Sequence, residues 1–102
     1  MIHVIATIAL QPGARERYLA ILKANVPNVL AEKGCRGYAP AVDTASGLPV
    51  QGPLRPDTVV LVETWDDLPA LKAHLAAPHM AAYREQVRDL VRSVNLQVLE
   101  SA

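Results

Sequence analysis

The run TVVLVETW (Thr58–Trp65) is apolar at successive positions rather than alternate ones, and it ends in a carboxylate and the chain's only tryptophan. Successive strand side chains point to opposite faces, so such a run is covered on both sides and belongs in the middle of a sheet. Ile2–Leu10 (IHVIATIAL) has the same character: it is rich in β-branched residues, and Ile2, Val4, Ile5 and Ile8 put apolar groups on both of its faces. It closes at Gln11–Gly13 (QPG), a turn sequence.

The other elements follow from the spacing of apolar residues. Tyr18, Leu22, Val26, Val29 and Leu30 recur at steps of three and four, which predicts a helix over 13–33 with one buried face, ended by Gly34. Cys35–Val42 reads as a second strand, made irregular by Gly37 and Pro40. Asp43–Asp57 holds three prolines and two glycines and is expected to be a long inter-strand loop. After Trp65, Asp66 and Asp67 favour a helix start over Leu68–Ala76. Pro78 opens a further helix with Met80, Tyr83, Val87, Leu90 and Val91 as its buried stripe. Val94–Leu99 is the last strand.

The order is β-α-β-β-α(α)-β. Right-handed crossovers place the helices on one face of a four-stranded sheet, an α+β ferredoxin-like fold. The length of 102 residues suits one domain over 1–102. The other sheet face then has no cover within the chain, although its strands are apolar there. Hydrophobic residues make up 51% of the sequence, more than so small a domain readily buries, and a second copy of the chain is the simplest cover.

Several classes are disfavoured. Ten Lys and Arg balance ten Asp and Glu, so no basic excess points to nucleic acid. Charged residues or prolines interrupt every apolar run before it is long enough to cross a membrane. The opening MIHVIATIAL has no basic residue ahead of it and reads as a strand rather than a signal peptide. A single cysteine, Cys35, cannot form an internal disulfide, which fits a reducing, cytoplasmic setting. There is no glycine-rich phosphate loop, serine elbow or dinucleotide fingerprint, so neither nucleotide nor flavin is expected.

The residues that can carry chemistry gather after the third strand. Period-two geometry puts Leu61, Glu63 and Trp65 on one face. Glu63 is either a strand-end carboxylate held by a cation or a proton acceptor in a poorly solvated pocket. Trp65 is a core residue or a wall on which an aromatic ring stacks. His74 falls on the short helix and His79 in the first turn of the next. The positive end of that helix favours a neutral His79 ring, which makes His79 the expected general base and leaves His74 to orient or cap. His74, His79 and Glu63, alone or with His3, lack the spacing of a zinc or two-histidine iron motif, and no metal is expected. Arg84, Arg88 and Arg92 form a basic stripe which, beside Glu85 and Asp89, reads as a solvated face.

Read together, these segments are similar to the antibiotic biosynthesis monooxygenase (ABM) domain family. QPG resembles the family's turn after strand one. AEKGCRGY (Ala31–Tyr38) resembles its EPGC..Y segment. ETW followed by ALKAHLAAPHMAAY (Ala70–Tyr83) resembles its E.W...AL..H...PH...F signature, with Tyr83 in place of the common phenylalanine. The resemblance implies a dimeric α+β barrel and, for some members, oxidation of quinols or polycyclic phenols by O2 without a cofactor. It implies a homodimer that takes a small aromatic molecule, with His79, His74 and Glu63 as candidate catalytic groups and Trp65, Tyr83 and Leu61 as candidate substrate contacts. Two other readings go with the fold: a dimeric ligand-binding or stress-related module without turnover, and an isomerase. The haem-degrading branch carries an asparagine in its first strand, and IHVIATIAL has none. The 43–57 loop is longer than is usual in the family, which points to an altered pocket mouth.

Overall fold

A computed structural model describes all 102 residues. The elements are β1 (Ile2–Leu10), α1 (Arg15–Leu30), β2 (Cys35–Ala41), β3 (Thr58–Trp65), α2 (Leu68–Ala76), α3 (Pro78–Val87) and β4 (Val91–Glu100). One antiparallel sheet has the order β2-β3-β1-β4, the ferredoxin-like arrangement. The two doubly apolar strands, β1 and β3, are its two central strands.

One face of the sheet carries the core. Ile2, Val4, Ala6, Ile8 and Leu10 of β1 and Val59, Leu61, Glu63 and Trp65 of β3 are all buried there. The helices close it with Tyr18, Leu22 and Val29 from α1, Leu71 and His74 from α2, and Met80, Tyr83 and Val87 from α3. The reverse face is only partly covered: His3, Ile5, Thr7 and Ala9 are half-buried and Val62 is exposed. The helices also leave β4 open. Val94, Leu96 and Val98 stand in register with Ile8, Ala6 and Val4, on the helix side, and yet are exposed.

Local chemistry explains the helix ends. Asp67 accepts a hydrogen bond from the Ala70 amide at 2.9 Å and caps α2, whereas Asp66 pairs with Arg36 at 2.6 Å across the sheet edge. Pro78 sits at the start of α3, where its missing amide costs no helical bond. Gly34 lies in the left-handed region (φ 84°), and a β-carbon there would stand 2.6 Å from the Ala70 Cβ, so the turn packs directly on α2.

Several boundaries differ from the sequence reading. α1 is shorter than 13–33, and Leu30 is half exposed because the chain leaves the helix at Ala31 before turning at Gly34. β2 ends one residue early, at Ala41. Leu90 and Val91 are not part of α3: that helix ends at Val87, the Leu90 amide donates to the Val87 carbonyl in a turn, and Val91 already belongs to β4. Arg92 is therefore on a strand, and the basic stripe does not exist as a helix face. The 43–57 segment has neither helix nor strand, as expected. It is tied by its own bonds: Arg55 grips Asp43 through Nε at 2.9 Å and Nη2 at 2.8 Å, and the Gly13 amide donates to Asp57 at 3.0 Å.

Candidate active site

Because the helices stop short of β4, a cavity of about 390 Å³ opens between the sheet and α3. Its floor is Ala6, Ile8, Leu61, Val94 and Leu96, and its roof is Met80, Tyr83 and Val87. An apolar cleft with a few inward polar groups is the usual form of a small-molecule site. Here those groups are Glu63, His74 and tyrosine hydroxyls, with Arg84 and Arg88 also in the wall.

Glu63 is 4% exposed. Its Oε1 accepts the Trp65 indole N–H at 3.0 Å. Removal from water dominates its electrostatics and pushes its carboxyl up to about 7; the indole bond pulls the other way and the charge of Glu32 adds to the rise. A carboxyl that titrates near neutrality in an apolar cavity can either donate or accept a proton. Trp65 itself is wholly buried behind Glu63 and does not line the cavity. It braces the carboxylate and is packed against the His74 ring, with centroids 4.7 Å apart.

His74 is 2% exposed and lines the same cavity. Its Nδ1 is 2.7 Å from Glu32 Oε2, and its ring meets Tyr38 edge-on at 5.5 Å. Burial lowers its pKa, opposed by the Glu32 bond and charge, which favours a neutral ring near pH 7. With Nδ1–H donated to Glu32, the other ring nitrogen is the acceptor. Tyr18 and Tyr83 both line the cavity and share a hydrogen bond between their hydroxyls. Burial raises the pKa of each, so both stay as neutral phenols, two O–H groups with one bond between them.

Of the residues singled out from the sequence, Glu63, His74, Tyr83 and Leu61 are brought together around the cavity. His79 is not. It sits on the far side of Glu32, with Nε2 3.6 Å from Glu32 Oε1, and does not line the cavity. The helix-end argument concerned its charge, but its position fails, because α3 turns its first residues toward the α1–β2 turn. Trp65 likewise moves from ring-holding wall to support. No residue of the 43–57 loop lines the cavity. His3 faces the opposite side of the sheet, beside Thr64 at 3.4 Å. Arg84, taken from the sequence as a solvated charge, reaches the Leu75 carbonyl at 2.6 Å.

Sequence reasoning missed Glu32, Tyr18 and Tyr38 as site residues. Tyr18 was legible as the first member of the α1 stripe, and Glu32 and Tyr38 fall inside the quoted AEKGCRGY segment. What no spacing reveals is that Glu32 meets a histidine 42 positions later.

The antibiotic biosynthesis monooxygenase family model matches residues 1–86. The Escherichia coli K12 protein named "Probable quinol monooxygenase YgiN" is 42% identical over 98% of this chain and 97% of its own length. The solved structure of Rv0793 from Mycobacterium tuberculosis is 33% identical with a TM-score of 0.78, covering 99% of this chain and 94% of that one. That of PA3566 from Pseudomonas aeruginosa is 26% identical with a TM-score of 0.80, covering 99% and 93%.

Proposed function

Because the chain belongs to the antibiotic biosynthesis monooxygenase family, we propose that it oxidises a quinol or polyphenol with O2 and without a cofactor. The observation that carries this reading is the pairing of an apolar cavity of about 390 Å³ with two inward titratable groups, Glu63 and His74, of complementary character. An apolar cleft suits both an aromatic ring and dioxygen. The name of the Escherichia coli relative supports the quinol class.

In this reading His74 accepts the proton of a substrate hydroxyl at its free ring nitrogen. The resulting phenolate passes one electron to O2, giving a semiquinone radical and superoxide. The pair recombines to form a C–O bond, and the peroxide anion takes the proton back from His74 to become the hydroperoxide. The hydroperoxide then loses its distal oxygen as water, together with the ring hydrogen at that carbon. One quinol and one O2 thus give one hydroxyquinone and one water, and all the electrons come from the substrate. Glu63, in its protonated form, donates a hydrogen bond to the substrate's second oxygen through Oε2, while Oε1 holds the Trp65 indole. The Tyr18–Tyr83 pair offers one further donor.

The test is oxygen uptake with a reduced naphthoquinone, corrected for autoxidation, alongside the appearance of quinone absorbance. Glu63→Gln keeps the donor and cannot ionise, so it should retain turnover and lose the fall in rate expected of wild type as pH rises through about 7. No oxygen uptake above the uncatalysed rate with any quinol would overturn the monooxygenase reading. Loss of turnover in Glu63→Gln would make Glu63 the proton acceptor instead.

A further inference from the structure

The polar groups of the cavity fall into two sets. Glu63 and His74 are buried, whereas Arg84 and Arg88 are exposed and so stand at its rim. Arg84 on α3 and Arg88 at the end of that helix are one turn apart, which sets them side by side. Every other lining residue is apolar or a tyrosine.

The two guanidinium groups are not equivalent. Arg88 lies 3.1 Å from Glu85 and 3.9 Å from Asp89, neither of which lines the cavity, so its charge is already met. Arg84 has no carboxylate within ion-pairing distance. Its one hydrogen bond runs from Nη2 to the Leu75 carbonyl at 2.6 Å, in the last turn of α2. A guanidinium has several N–H donors in a rigid fork, so this bond holds the group in place and leaves others free. The charge of Arg84 is felt inside the cavity: it works against the rise that burial causes in the Tyr83 pKa and adds to the fall at His74.

We propose that Arg84 is an anion subsite and that the substrate is a carboxylated aromatic, with its hydroxyl against His74 and Glu63 and its carboxylate on Arg84 at the rim. The hydroxyl end of this arrangement rests on the quinol reading; the anion end rests on Arg84 alone. One unpaired cation matches one negative charge, which favours a carboxylate over a phosphate monoester with its greater charge. A planar carboxylate also fits the guanidinium fork, with two parallel N–H···O bonds. Arg84 takes no part in the oxidation. It selects which rings are held, which gives a use to a charge that the proposed chemistry leaves idle.

The test compares 2-naphthoate with 2-naphthol, alike in ring size and different in charge. Both are titrated calorimetrically in low salt, on the acid side of the Glu63 midpoint, where 2-naphthoate is still ionised. Wild type should bind 2-naphthoate roughly tenfold more tightly than 2-naphthol, and added salt should erode the preference. Arg84→Gln keeps a donor toward the Leu75 carbonyl and loses the charge. It should abolish the preference while leaving the affinity for 2-naphthol unchanged, and Arg88→Gln should retain the preference. An arginine that merely caps α2 would not tell an acid from an alcohol. The subsite is overturned by any of four results: no binding of 2-naphthoate, equal affinity for both probes, a preference that salt does not touch, or one that survives Arg84→Gln. An equal loss of both affinities in Arg84→Gln, or loss of the preference in Arg88→Gln, also overturns it. These titrations need no turnover. Oxygen uptake with a neutral naphthoquinol but no preference for 2-naphthoate removes the subsite and spares the monooxygenase reading. The preference without oxygen uptake from any quinol upholds the subsite and removes that reading.

Discussion

The indole N–H of Trp65 donates to Glu63 Oε1 at 3.0 Å, two residues apart on one face of β3. A strand places positions i and i+2 side by side, so the bond is local and needs no loop to form. It stabilises the carboxylate, but less than burial destabilises it.

A pH dependence of stability follows. The folded-state pKa of Glu63 is about 7 against an ordinary 4.5, so the folded protein holds this proton more tightly than the unfolded chain does. Its contribution is complete below the unfolded value and is lost as pH rises toward the folded one, a loss of up to roughly 3 kcal/mol. His74 acts in the opposite sense: its folded pKa is lowered, so its contribution is complete above the unfolded value and is lost as pH falls through the folded one. Comparing wild type with Glu63→Gln isolates the first effect. Between about pH 5 and about pH 8 the melting temperature of wild type should fall relative to the variant. Parallel curves would remove the raised pKa of Glu63.

The two histidines should differ in turnover. His74 lines the cavity and His79 does not, so His74→Ala should lower kcat by about 10²-fold or more, as expected for loss of a general base. His79→Ala should cost less. His74→Gln keeps a donor toward Glu32 but cannot take the proton, and should be equally slow while remaining folded by circular dichroism. Full activity in His74→Gln would exclude His74 as the acceptor.

Gly34 offers a test of the turn that sets Glu32 in place. Gly34→Ala forces a side chain into the left-handed region and against the Ala70 Cβ, which should cost roughly 2–3 kcal/mol in denaturant unfolding. Adding Ala70→Gly removes the clash but not the backbone strain, so recovery should be partial. A neutral Gly34→Ala would mean that the turn is free to move.

The reverse face of the sheet should pair two copies of the chain. Ile5 and Val62 are neighbours there, and Val62 is exposed in the single chain. An apolar sheet face of this kind seeks a partner. Light scattering should return a dimer at micromolar concentration, and Val62→Lys should shift it toward monomer without unfolding it. A wild-type monomer would defeat this expectation.

The central strands were legible because a doubly apolar run has one place in a sheet, and Thr58–Trp65 and Ile2–Leu10 end at the residues read from the sequence. The last turn was misread because Leu90 and Val91 continue the helical spacing of α3, and only the return of the chain to β1 turns Val91 into a strand residue. In the site, Leu61 and Glu63 follow from period two along a strand. Which of two histidines faces a cavity depends on how α3 crosses α1, a tertiary packing angle that spacing along the sequence does not encode. The same is true of Glu32, whose partners lie on two later helices.

The open strand β4 bears on how such a protein diversifies. Val94 and Leu96 shape the floor of the cavity yet are mostly outside the packed core, so replacing them perturbs few neighbours. Mutational drift at these two positions can alter the shape of the cavity while leaving the fold's thermal tolerance almost untouched. Glu63 and His74, the groups proposed to handle protons, are locked in the core and have no such freedom. In the proposed function, substrate range and chemistry would thereby be inherited on separate parts of the chain, and the first could evolve while the second stays fixed.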